Sequence, residues 1–302
     1  MAAPTVSVII PTYNRRAALE TSIASVLRQS VEDLELIVVD DCSTDDTPAM
    51  LGAVTDRRVR AIRHEANRGA NAARNSGLDA ASGRFVAFQD SDDEWLPAKL
   101  EKQLAALAAG DAVAAYCGMI VVDGQHGGSS RRTRIRYLPD PARSRVSGDL
   151  LEPLLTTSLV STQTFIGRRD VIREAGRFDE ALPALQDWDF MLRVAKLGPI
   201  ALVDEPLVIQ HLSPDSITRS PRKRVEARAR IVEKNMDLLS ARPDLLATHH
   251  QAIGSALHAL GDVAGARRHL LRALRLGPFS LRRWGAAALT LLGKAGRRLR
   301  PQ

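Results

Sequence analysis

Three segments of the sequence decide the fold: VSVIIPTYN at residues 6–14, LELIVVDDCSTDD at residues 34–46 and GRFVAFQDSDD at residues 83–93. Each is a short apolar run, rich in β-branched or aromatic residues, that ends in polar or acidic residues, and this pattern is typical of a buried strand followed by a loop. A fourth apolar run lies at residues 59–62, and segments with helical spacing separate the runs, among them the Ala-rich stretch at 70–80. Strands that alternate with helices predict an α/β domain whose mainly parallel central sheet is flanked by helices.

Polar side chains follow three of these four runs. Residues 11–14 follow the first run, Asp40 and Asp41 the second, and the acidic group from Asp90 to Asp93 the fourth. Because the carboxyl ends of parallel strands meet at one edge of a sheet, these side chains are expected to lie close together, where ligands bind. Carboxylates crowded at one edge need a counter-charge, and Mg²⁺ or Mn²⁺ held by one or two carboxylates and by substrate phosphates supplies it. The sequence therefore predicts a divalent cation and a phosphate-bearing ligand at this edge.

Two common phosphate-binding classes are disfavoured by the loops themselves. No Gly-x-Gly-x-x-Gly motif follows any of the four runs, and the chain has no Walker-type Gly-Lys-Ser/Thr motif. A dinucleotide-dependent dehydrogenase and a P-loop enzyme each need one of these motifs, because glycines let the backbone approach the phosphates. A nucleotidyltransferase is also disfavoured, since the loop after the first run lacks the Gly- and Lys-rich character expected of that class.

The charge of the chain is uneven. The 302 residues have a net charge of +7, and residues 220–302 hold 17 of the 42 basic residues but only 5 of the 35 acidic ones. A nucleic-acid interface would combine basic residues with several stacking aromatics, whereas this segment has only Phe279 and Trp284, so no nucleic-acid partner is expected. Two interpretations of the basic excess remain open, namely peripheral contact with an anionic membrane and a solvated helix face.

Compartment is judged from the N-terminus, the hydropathy and the cysteines. The first residues do not form a secretory signal, and no apolar run approaches the roughly 18 residues of a spanning helix. Cys42 and Cys117 are too few for a disulfide framework and lack metal-ligand spacing. These features predict a cytoplasmic protein that does not span the membrane, with peripheral contact at its inner face left open.

The rest of the chain changes character twice. Residues 123–149 are rich in Gly, Ser, Pro and Arg without a clear period, which predicts a long loop, and the mixed α/β pattern returns at residues 150–213. From Arg222 onward the sequence is helical in pattern. In that part the following residues fall at the offsets of one tetratricopeptide-like helical pair: Ile253, Gly254, Leu257, Ala266, Leu270, Ala273 and Pro278. Generic amphipathic helices are the alternative interpretation.

Four blocks in this order and at these intervals resemble the family 2 glycosyltransferases. The blocks are VSVIIPTYNR, LELIVVDDCSTDDT, NRGANAARNSGL and GRFVAFQDSDDEWLPAKL, and the resemblance is strong over residues 5–110 and looser to about residue 215. It implies a GT-A fold over residues 1–220, with a nucleotide-binding half at about 1–120 and an acceptor half at about 121–220. Residues 221–302 would then form a basic helical C-terminal extension.

The resemblance also assigns roles in the first half. Pro11, Tyr13, Asp41, Arg74 and Asp90 would bind a nucleotide-diphospho-sugar. Tyr13 would lie against the base, which suits an aromatic face, and Asp41 would accept the imide hydrogen. Arg74 would lie near the base or the diphosphate, and Asp90 would contact the ribose. Alternatively, Tyr13 is an ordinary loop aromatic and Arg74 a helix surface charge.

Asp92 would be a ligand of the Mg²⁺ or Mn²⁺ that bridges the two phosphates, where the cation acts as a Lewis acid. His211 is the second candidate ligand, because family members often have a histidine hereabouts that reaches the metal or diphosphate. A lone histidine after an apolar run is also compatible with a purely structural role.

The catalytic base is expected at Leu185-Gln186-Asp187-Trp188-Asp189. Family members commonly have Glu-Asp here, followed by Trp-Asp, and the first Asp acts as general base, so the resemblance implies that Asp187 is the base. Gln186 stands where the family has Glu, which changes the expected acceptor contact. Gln186 and Trp188 are the candidate acceptor residues. The alternative is that Asp187 or Asp189 caps a helix beginning near Trp188.

The function implied is a single-displacement, inverting transfer of a sugar from a nucleotide diphosphate donor. The acceptor would be a glycan on a protein, a lipid-linked intermediate or a growing polysaccharide. A different class of function also remains open, in which the chain is a catalytically silent sugar-nucleotide-binding or scaffold module whose helical tail recruits a partner.

Overall fold

The computed structural model describes residues 3–124, 133–138, 146–212 and 220–291 of the chain. Its strands are β1 Val6–Thr12, β2 Leu34–Asp40, β3 Val59–Arg63, β4 Phe85–Phe88, β5 Glu94–Trp95, β6 Ala114–Gly124, β7 Thr133–Leu138, β8 Phe165–Arg168 and β9 Ile200–His211. Its helices are α1 Arg16–Leu27, α2 Thr47–Gly52, α3 Ala70–Ala80, α4 Lys99–Ala108, α5 Leu151–Thr156, α6 Arg169–Ala175, α7 Gln186–Ala195, α8 Pro221–Lys234, α9 Met236–Leu239, α10 Pro243–Ala259, α11 Val263–Leu276 and α12 Leu281–Leu291.

The strands of the described residues form one mixed sheet. Its order is β3-β2-β1-β4-β8-β6-β9-β5, and β7 pairs with β6 outside this path. The strands β3, β2, β1 and β4 are parallel neighbours, β8 runs antiparallel to both β4 and β6, and β9 is parallel to β6. The first part of the chain therefore supplies a parallel half-sheet, and the second part extends it through the antiparallel strand β8 and the parallel pair of β6 and β9.

Burial explains why the first half reads as continuous apolar runs. Every residue of β1 and of β4 is buried, as expected of central parallel strands that are covered on both faces. Helix α3 lies close against β1, because a Cβ built on Gly77 would stand 2.4 Å from Cγ2 of Ile9. Only glycine permits this approach. The close packing of α3 on β1 places Arg74 near the edge of the sheet where β1 and β4 end.

The predicted α/β pattern is confirmed, with small changes of boundary. The apolar runs predicted as strands are β1 to β4, and the Ala-rich run at 70–80 is α3. The loop predicted at residues 123–149 is wrong in part, because β7 pairs with β6 from Thr133 to Leu138. The alternation of Thr, Ile and Tyr with Arg in TRIRYL is a strand pattern, and the density of arginines obscured it. Residues 125–132 and 139–145 of the predicted loop lie outside the described residues.

The chain divides into two compact units. One consists of residues 1–180 and 186–214, and the other of residues 181–185 and 215–302. The second unit is helical over its described residues, as predicted, and none of its helices or those of the first unit is both long and apolar enough to span a bilayer, as far as the structure describes them. The division of the first unit into a nucleotide-binding half and an acceptor half stays a prediction.

The helical pair expected from the tetratricopeptide-like spacing is formed by α10 and α11. A Cβ on Gly254 would stand 2.7 Å from Cγ of Leu270 and 3.1 Å from the carbonyl oxygen of Ala266. Ile253, Ala266 and Leu270 are each at most 1% exposed. The small residues therefore let the two helices pack closely, as the spacing predicts.

Candidate active site

The loops after β1 and β2 are tied together by Asn14. Its backbone has a φ of 50°, and its side-chain oxygen accepts hydrogen bonds from the backbone N–H groups of Thr44 and Asp45. Its own backbone N–H donates to Oγ of Ser43. Tyr13, immediately before it, is 44% exposed. The phenol ring thus stands at the sheet edge on a fixed loop, with a surface available to a ligand.

Asp41 is a buried carboxylate at the end of β2. Its Oδ1 accepts from the backbone N–H of Arg68 at 2.9 Å and contacts Nδ1 of His64 at 2.7 Å, and its Oδ2 accepts from the N–H of Gly69 at 2.6 Å. A carboxylate has about four acceptor sites, so these contacts leave capacity for one more donor on Oδ2. Asp41 therefore fixes the loop entering α3 and remains able to accept a further N–H.

Arg74, on α3, is held by Asp90 and by an aromatic ring. Nη2 of Arg74 donates to Oδ1 of Asp90 at 2.7 Å, and its guanidinium carbon lies 5.7 Å from the centre of the Phe178 ring. The side chain is only 5% exposed, yet its Nε and Nη1 have no hydrogen-bond partner among the described residues. Buried donors without partners are costly, so they mark a place where an anionic ligand would be stabilised.

The acidic turn after β4 contains three aspartates, and the pKa values of two of them, Asp92 and Asp93, are raised. Burial, and then the charge of Asp90, raises the pKa of Asp92, while Arg15, whose Nη1 lies 3.3 Å from Oδ2 of Asp92, opposes the shift. Burial, followed by the charges of Asp90 and Asp92, raises the pKa of Asp93 well above its usual value. Burial is thus the main cause of both shifts, and the charges of neighbouring carboxylates add to it.

His211 reaches this turn from the end of β9. Strands β5 and β9 pair in register, and the backbone N–H of His211 donates to Oδ1 of Asp93 at 3.1 Å. Its imidazole Nε2 lies 3.0 Å from Oε1 of Glu94, and its charge lowers the pKa of Asp92. The structure thus brings together Asp90, Asp92 and His211, which are 121 residues apart at most.

These residues fit a divalent cation, although their side chains are engaged with one another. In the described part of the chain, no three His, Cys, Asp or Glu residues stand in a preformed metal-binding arrangement. Oδ2 of Asp93 is buried without a hydrogen-bond partner among the described residues, and Asp92 retains 28% of its side-chain surface. Carboxylate oxygens are the ligands that Mg²⁺ and Mn²⁺ prefer.

Four phenylalanines connect this edge to α7. Phe178 and Phe190 stack with ring centres 4.4 Å apart, and Phe88 meets Phe178 edge-on at 5.2 Å, while Phe165 packs against Phe190 at 6.0 Å. Phe88 is the last residue of β4, and Phe190 lies in the second turn of α7. The cluster therefore fixes the first turn of α7 relative to the acidic turn after β4.

The first turn of α7 contains the predicted catalytic segment. The helix begins at Gln186, two residues before the predicted start, and Oδ1 of Asp187 accepts the backbone N–H of Trp188 at 2.8 Å. Asp189 is 2% exposed and pairs with Arg193 at 3.0 Å, so it is a structural residue of the helix. Asp187 is only partly buried, and it projects from a helix N-terminus, where a carboxylate is stabilised in its charged form.

Trp188 does not present its ring to an acceptor in this structure. It is 1% exposed, and its indole N–H donates to the backbone carbonyl of Leu154. In this structure the buried indole anchors the residue after Asp187, and a contact of Trp188 with an acceptor stays a prediction. A tryptophan is among the largest apolar side chains, and this one is buried in the core beneath the turn.

Three further residues at this edge were not singled out from the sequence. Arg15 pairs with Asp92, Glu94 contacts His211, and His64 bridges Oδ1 of Asp41 and Oγ of Ser76 at 2.7 and 2.8 Å. His64 directly follows β3, so the rule that ligand-binding residues follow parallel strands would have found it. Arg15 and Glu94 lie within the quoted blocks, but the resemblance assigned no role to either of them.

The fold and the known relatives define the class of this protein. TarS of S. aureus, whose residues 1–349 were crystallised with UDP-GlcNAc, superposes on this chain with a TM-score of 0.72 at 20% identity, over 94% of this chain and 88% of that chain. The chain thus has the same fold, GT-A, as TarS. It belongs to the family described as Glycosyl transferase family 2, whose sequence model matches residues 7–176.

Two relatives of assigned role are similar over different extents. The succinoglycan biosynthesis protein ExoO of Rhizobium meliloti is 31% identical over 230 residues, covering 72% of this chain and 63% of that protein. WfgD of Escherichia coli, a UDP-Glc:alpha-D-GlcNAc-diphosphoundecaprenol beta-1,3-glucosyltransferase, is 46% identical over 99 residues, covering 33% of this chain and 39% of that protein. The chain spans less than two thirds of the length of either relative.

Proposed function

We propose that this glycosyltransferase moves a sugar from a nucleotide-diphospho-sugar to a hydroxyl of a polysaccharide or of a lipid-linked glycan, with inversion at the anomeric carbon. The observation that carries the proposal is the buried Arg74, whose Nε and Nη1 have no partner among the described residues and lie beside Asp90 at the strand-end edge. A polyanionic ligand would satisfy these donors. The acceptor class is suggested by ExoO and WfgD, whose names give polysaccharide and lipid-linked roles.

The donor would lie across the ends of β1, β2 and β4. The exposed ring of Tyr13 offers a stacking surface for the base beside Pro11, and the spare acceptor site of Asp41 suits an imide N–H. Asp90 is close enough to the solvent to accept ribose hydroxyls while it orients Arg74. Recognition of the base and the ribose thus uses residues that the loops already hold in place.

Asp92 and His211 would hold a Mg²⁺ or Mn²⁺ ion next to the diphosphate, with Asp93 and Glu94 orienting them. When bound, the cation would stabilise the negative charge that develops on the leaving diphosphate. Arg15 now pairs with Asp92, and a bound cation would compete for the same carboxylate.

Asp187 would act as general base. Its carboxylate takes the proton of the acceptor hydroxyl as that oxygen attacks the anomeric carbon. The new carbon–oxygen bond forms on one face of the sugar, and the bond to the diphosphate breaks on the opposite face, so that its electron pair leaves with the nucleotide. Gln186, the neutral neighbour, would hydrogen-bond the acceptor, and Trp188 would position the turn.

Donor turnover by the purified full chain tests this function. The chain is incubated with Mn²⁺ and each of a set of UDP-, GDP- and TDP-sugars, and nucleotide release is measured with and without Mn²⁺. We expect slow, metal-dependent release from one donor, because water leaks into a working site. Asp187→Asn should abolish sugar transfer while donor binding survives, and Glu174→Gln, an exposed carboxylate on α6, is the matched control that should keep the wild-type rate.

Two outcomes would overturn the proposal in different ways. Binding of a nucleotide sugar without release, under any metal, would favour the alternative of a catalytically silent binding module. If the chain neither binds nor turns over any nucleotide sugar, then nucleotide sugars are excluded as its ligands. For the compartment, we propose the cytoplasm, where nucleotide sugars and a reducing setting for Cys42 and Cys117 coincide.

A further inference from the structure

Three large apolar side chains are exposed around the turn between α11 and α12. Phe279 is 101% exposed, Leu281 89% and Trp284 55%, and we call them the apolar tip. Single exposed apolar residues are ordinary on protein surfaces, but neighbouring ones mark an interaction site. On α12, Leu281 and Trp284 share the solvent-exposed face with Gly285 and Ala288, at helical spacing. The exposed face of α12 over these residues is therefore apolar.

The turn that carries the apolar tip is fixed by internal hydrogen bonds. Arg283 has an 11% exposed side chain, and it donates to the backbone carbonyls of Gly277 and Asp244, at 3.1 Å in each case. The indole N–H of Trp284 donates to the carbonyl oxygen of Pro278 at 2.8 Å. Arg283 thus holds the turn by hydrogen bonds within the helical unit, and Phe279 is exposed in that fixed conformation.

A stripe of exposed arginines leads to the apolar tip along α11. Arg268, Arg272 and Arg275 lie on its exposed face at intervals of about one helical turn, and we call them the basic stripe. Leu271, 52% exposed, lies among them, and Arg282 adds a further exposed cation on α12. No acidic residue follows Asp262 in the sequence, so neither α11 nor α12 contains a carboxylate that could neutralise the basic stripe.

We infer that the apolar tip and the basic stripe dock on the surface of an anionic phospholipid bilayer. The tip would insert its side chains at the level of the headgroups, where tryptophan is favoured, and the stripe would contact the anionic headgroups. This combination fits a bilayer because the bilayer has an apolar interior for the apolar tip and, next to it, an anionic headgroup layer for the basic stripe. The inference goes beyond the sugar transfer and does not depend on it.

Two other occupants fit the surface less well. A second copy of the chain, docked tip to tip, would bring two basic stripes towards each other without acidic partners on these helices. A nucleic acid would leave the aliphatic Leu281 and Leu271 without a stacking role, since bases stack on aromatic rings. Both occupants remain measurable outcomes of the test below.

Tryptophan fluorescence provides a test that reports on the tip alone. The chain has three tryptophans, and Trp95 and Trp188 are at most 3% exposed, so a change on vesicle addition reports Trp284. Full-length chain is mixed with vesicles of phosphatidylcholine alone or with phosphatidylglycerol, some of them carrying brominated acyl chains. We expect a blue shift and quenching by the brominated lipid only when phosphatidylglycerol is present, and loss of both signals in Trp284→Phe.

Variants separate the two parts of the surface. Phe279→Ser with Leu281→Ser removes the tip, and Arg272→Glu with Arg275→Glu reverses the stripe; each should weaken co-sedimentation with anionic vesicles by roughly tenfold or more. Ile135→Ser, an exposed apolar residue on β7, and Arg57→Glu with Arg60→Glu are matched controls and should bind as wild type. All variants should keep wild-type helicity by circular dichroism.

The contradicting results are equally specific. Equal binding of wild type and both surface variants, or no binding to anionic vesicles, would overturn the inference. A blue shift of the Trp284 fluorescence that grows with protein concentration in the absence of vesicles would instead indicate self-association. Preferential binding of single-stranded RNA over vesicles would indicate a nucleic-acid surface. Donor release by the same variants is measured separately, so failure of docking is distinguished from failure of the enzyme.

Discussion

Nη2 of Arg74 lies 2.7 Å from Oδ1 of Asp90, and this ion pair joins α3 to the turn after β4. The arginine is nearly buried, with Phe178 against its guanidinium group, while two of its N–H donors have no partner within the described residues. The pair therefore orients the guanidinium group and leaves hydrogen-bonding capacity that we propose a nucleotide diphosphate uses.

Replacing Arg74 should weaken nucleotide binding more than it weakens the fold. Arg74→Met keeps the apolar length of the side chain but loses its charged donors, and hydrogen bonds to charged groups are worth about 1.5–3 kcal/mol. We expect the dissociation constant of UDP with Mn²⁺, measured by calorimetry, to rise by roughly tenfold or more. Arg60→Met, on an exposed position of β3, is the control. Unchanged affinity in Arg74→Met would show that the unpartnered donors do not face the nucleotide.

Asp41→Asn should destabilise the protein even without a ligand. The amide can accept with only one of its two termini, so it cannot serve His64 and the backbone N–H groups of Arg68 and Gly69 at once. Leaving buried donors unsatisfied costs about 1–3 kcal/mol each, so we expect a loss of about 2 kcal/mol in the free energy of unfolding. Urea unfolding measures it. A stability equal to wild type would mean that the loop entering α3 does not depend on this carboxylate.

Truncation of Phe190 should affect turnover more than donor binding. Phe190→Ala removes a ring that contacts three others, and such core truncations cost about 3–5 kcal/mol. Phe190→Leu should cost less and fold well, yet loosen the first turn of α7, where Asp187 lies. We expect a lower rate of donor turnover in Phe190→Leu with nearly unchanged UDP affinity. Equal losses in both quantities would contradict the link from the cluster to Asp187.

The helical unit should lose stability as pH falls below about 6.5. Burial, then the charges of His269, Arg272 and His249, lowers the pKa of His250 to about 4, and burial and nearby arginines also lower the pKa of His269. These groups take up protons more readily when unfolded, so their contribution is complete above the unfolded pKa and is lost as pH falls towards about 4. The loss from His250 amounts to at most about 3 kcal/mol.

Thermal unfolding followed from pH 8 to pH 4.5 checks this dependence. His250 packs on His269 with Nδ1 atoms 3.0 Å apart, and Asp262 is the acidic group that opposes the shift of His269. His250→Asn should flatten the pH profile because the substituted side chain does not titrate. His258→Asn, on the same helix, is the control and should leave the profile unchanged. A wild-type profile in His250→Asn would contradict the assignment.

The parallel half of the fold could be predicted because its signals are local. Strands β1, β2 and β4 are buried on both faces, so they appear as uninterrupted apolar runs, and the residues after them follow the rule for parallel sheets. The same locality predicted Gly254 and Leu270 in the seam of α10 and α11. The candidate site residues Asp41, Arg74, Asp90 and Asp92 could be proposed from the sequence for this reason, together with the resemblance of their motifs.

The features that could not be predicted from the sequence depend on contacts between distant segments of the chain. Strand β7 escaped prediction because its arginines hide a two-residue alternation that gains meaning only from pairing with β6. The burial of Trp188 depends on the carbonyl of Leu154, and the pairing of Arg15 with Asp92 depends on how two loops meet. None of these relationships has a local pattern, so sequence spacing alone does not contain them.

The central claim is that acidic side chains from distant parts of the chain surround one cation and a diphosphate. A crystal structure of the chain soaked with Mn²⁺ and UDP, with anomalous data collected at the manganese edge, tests it most directly. We predict one strong anomalous peak within about 2.3 Å of a carboxylate oxygen of Asp92 and beside the diphosphate, with Asp187 facing the same cleft. A peak at another location, or UDP bound away from Arg74 and Asp92, would contradict the account.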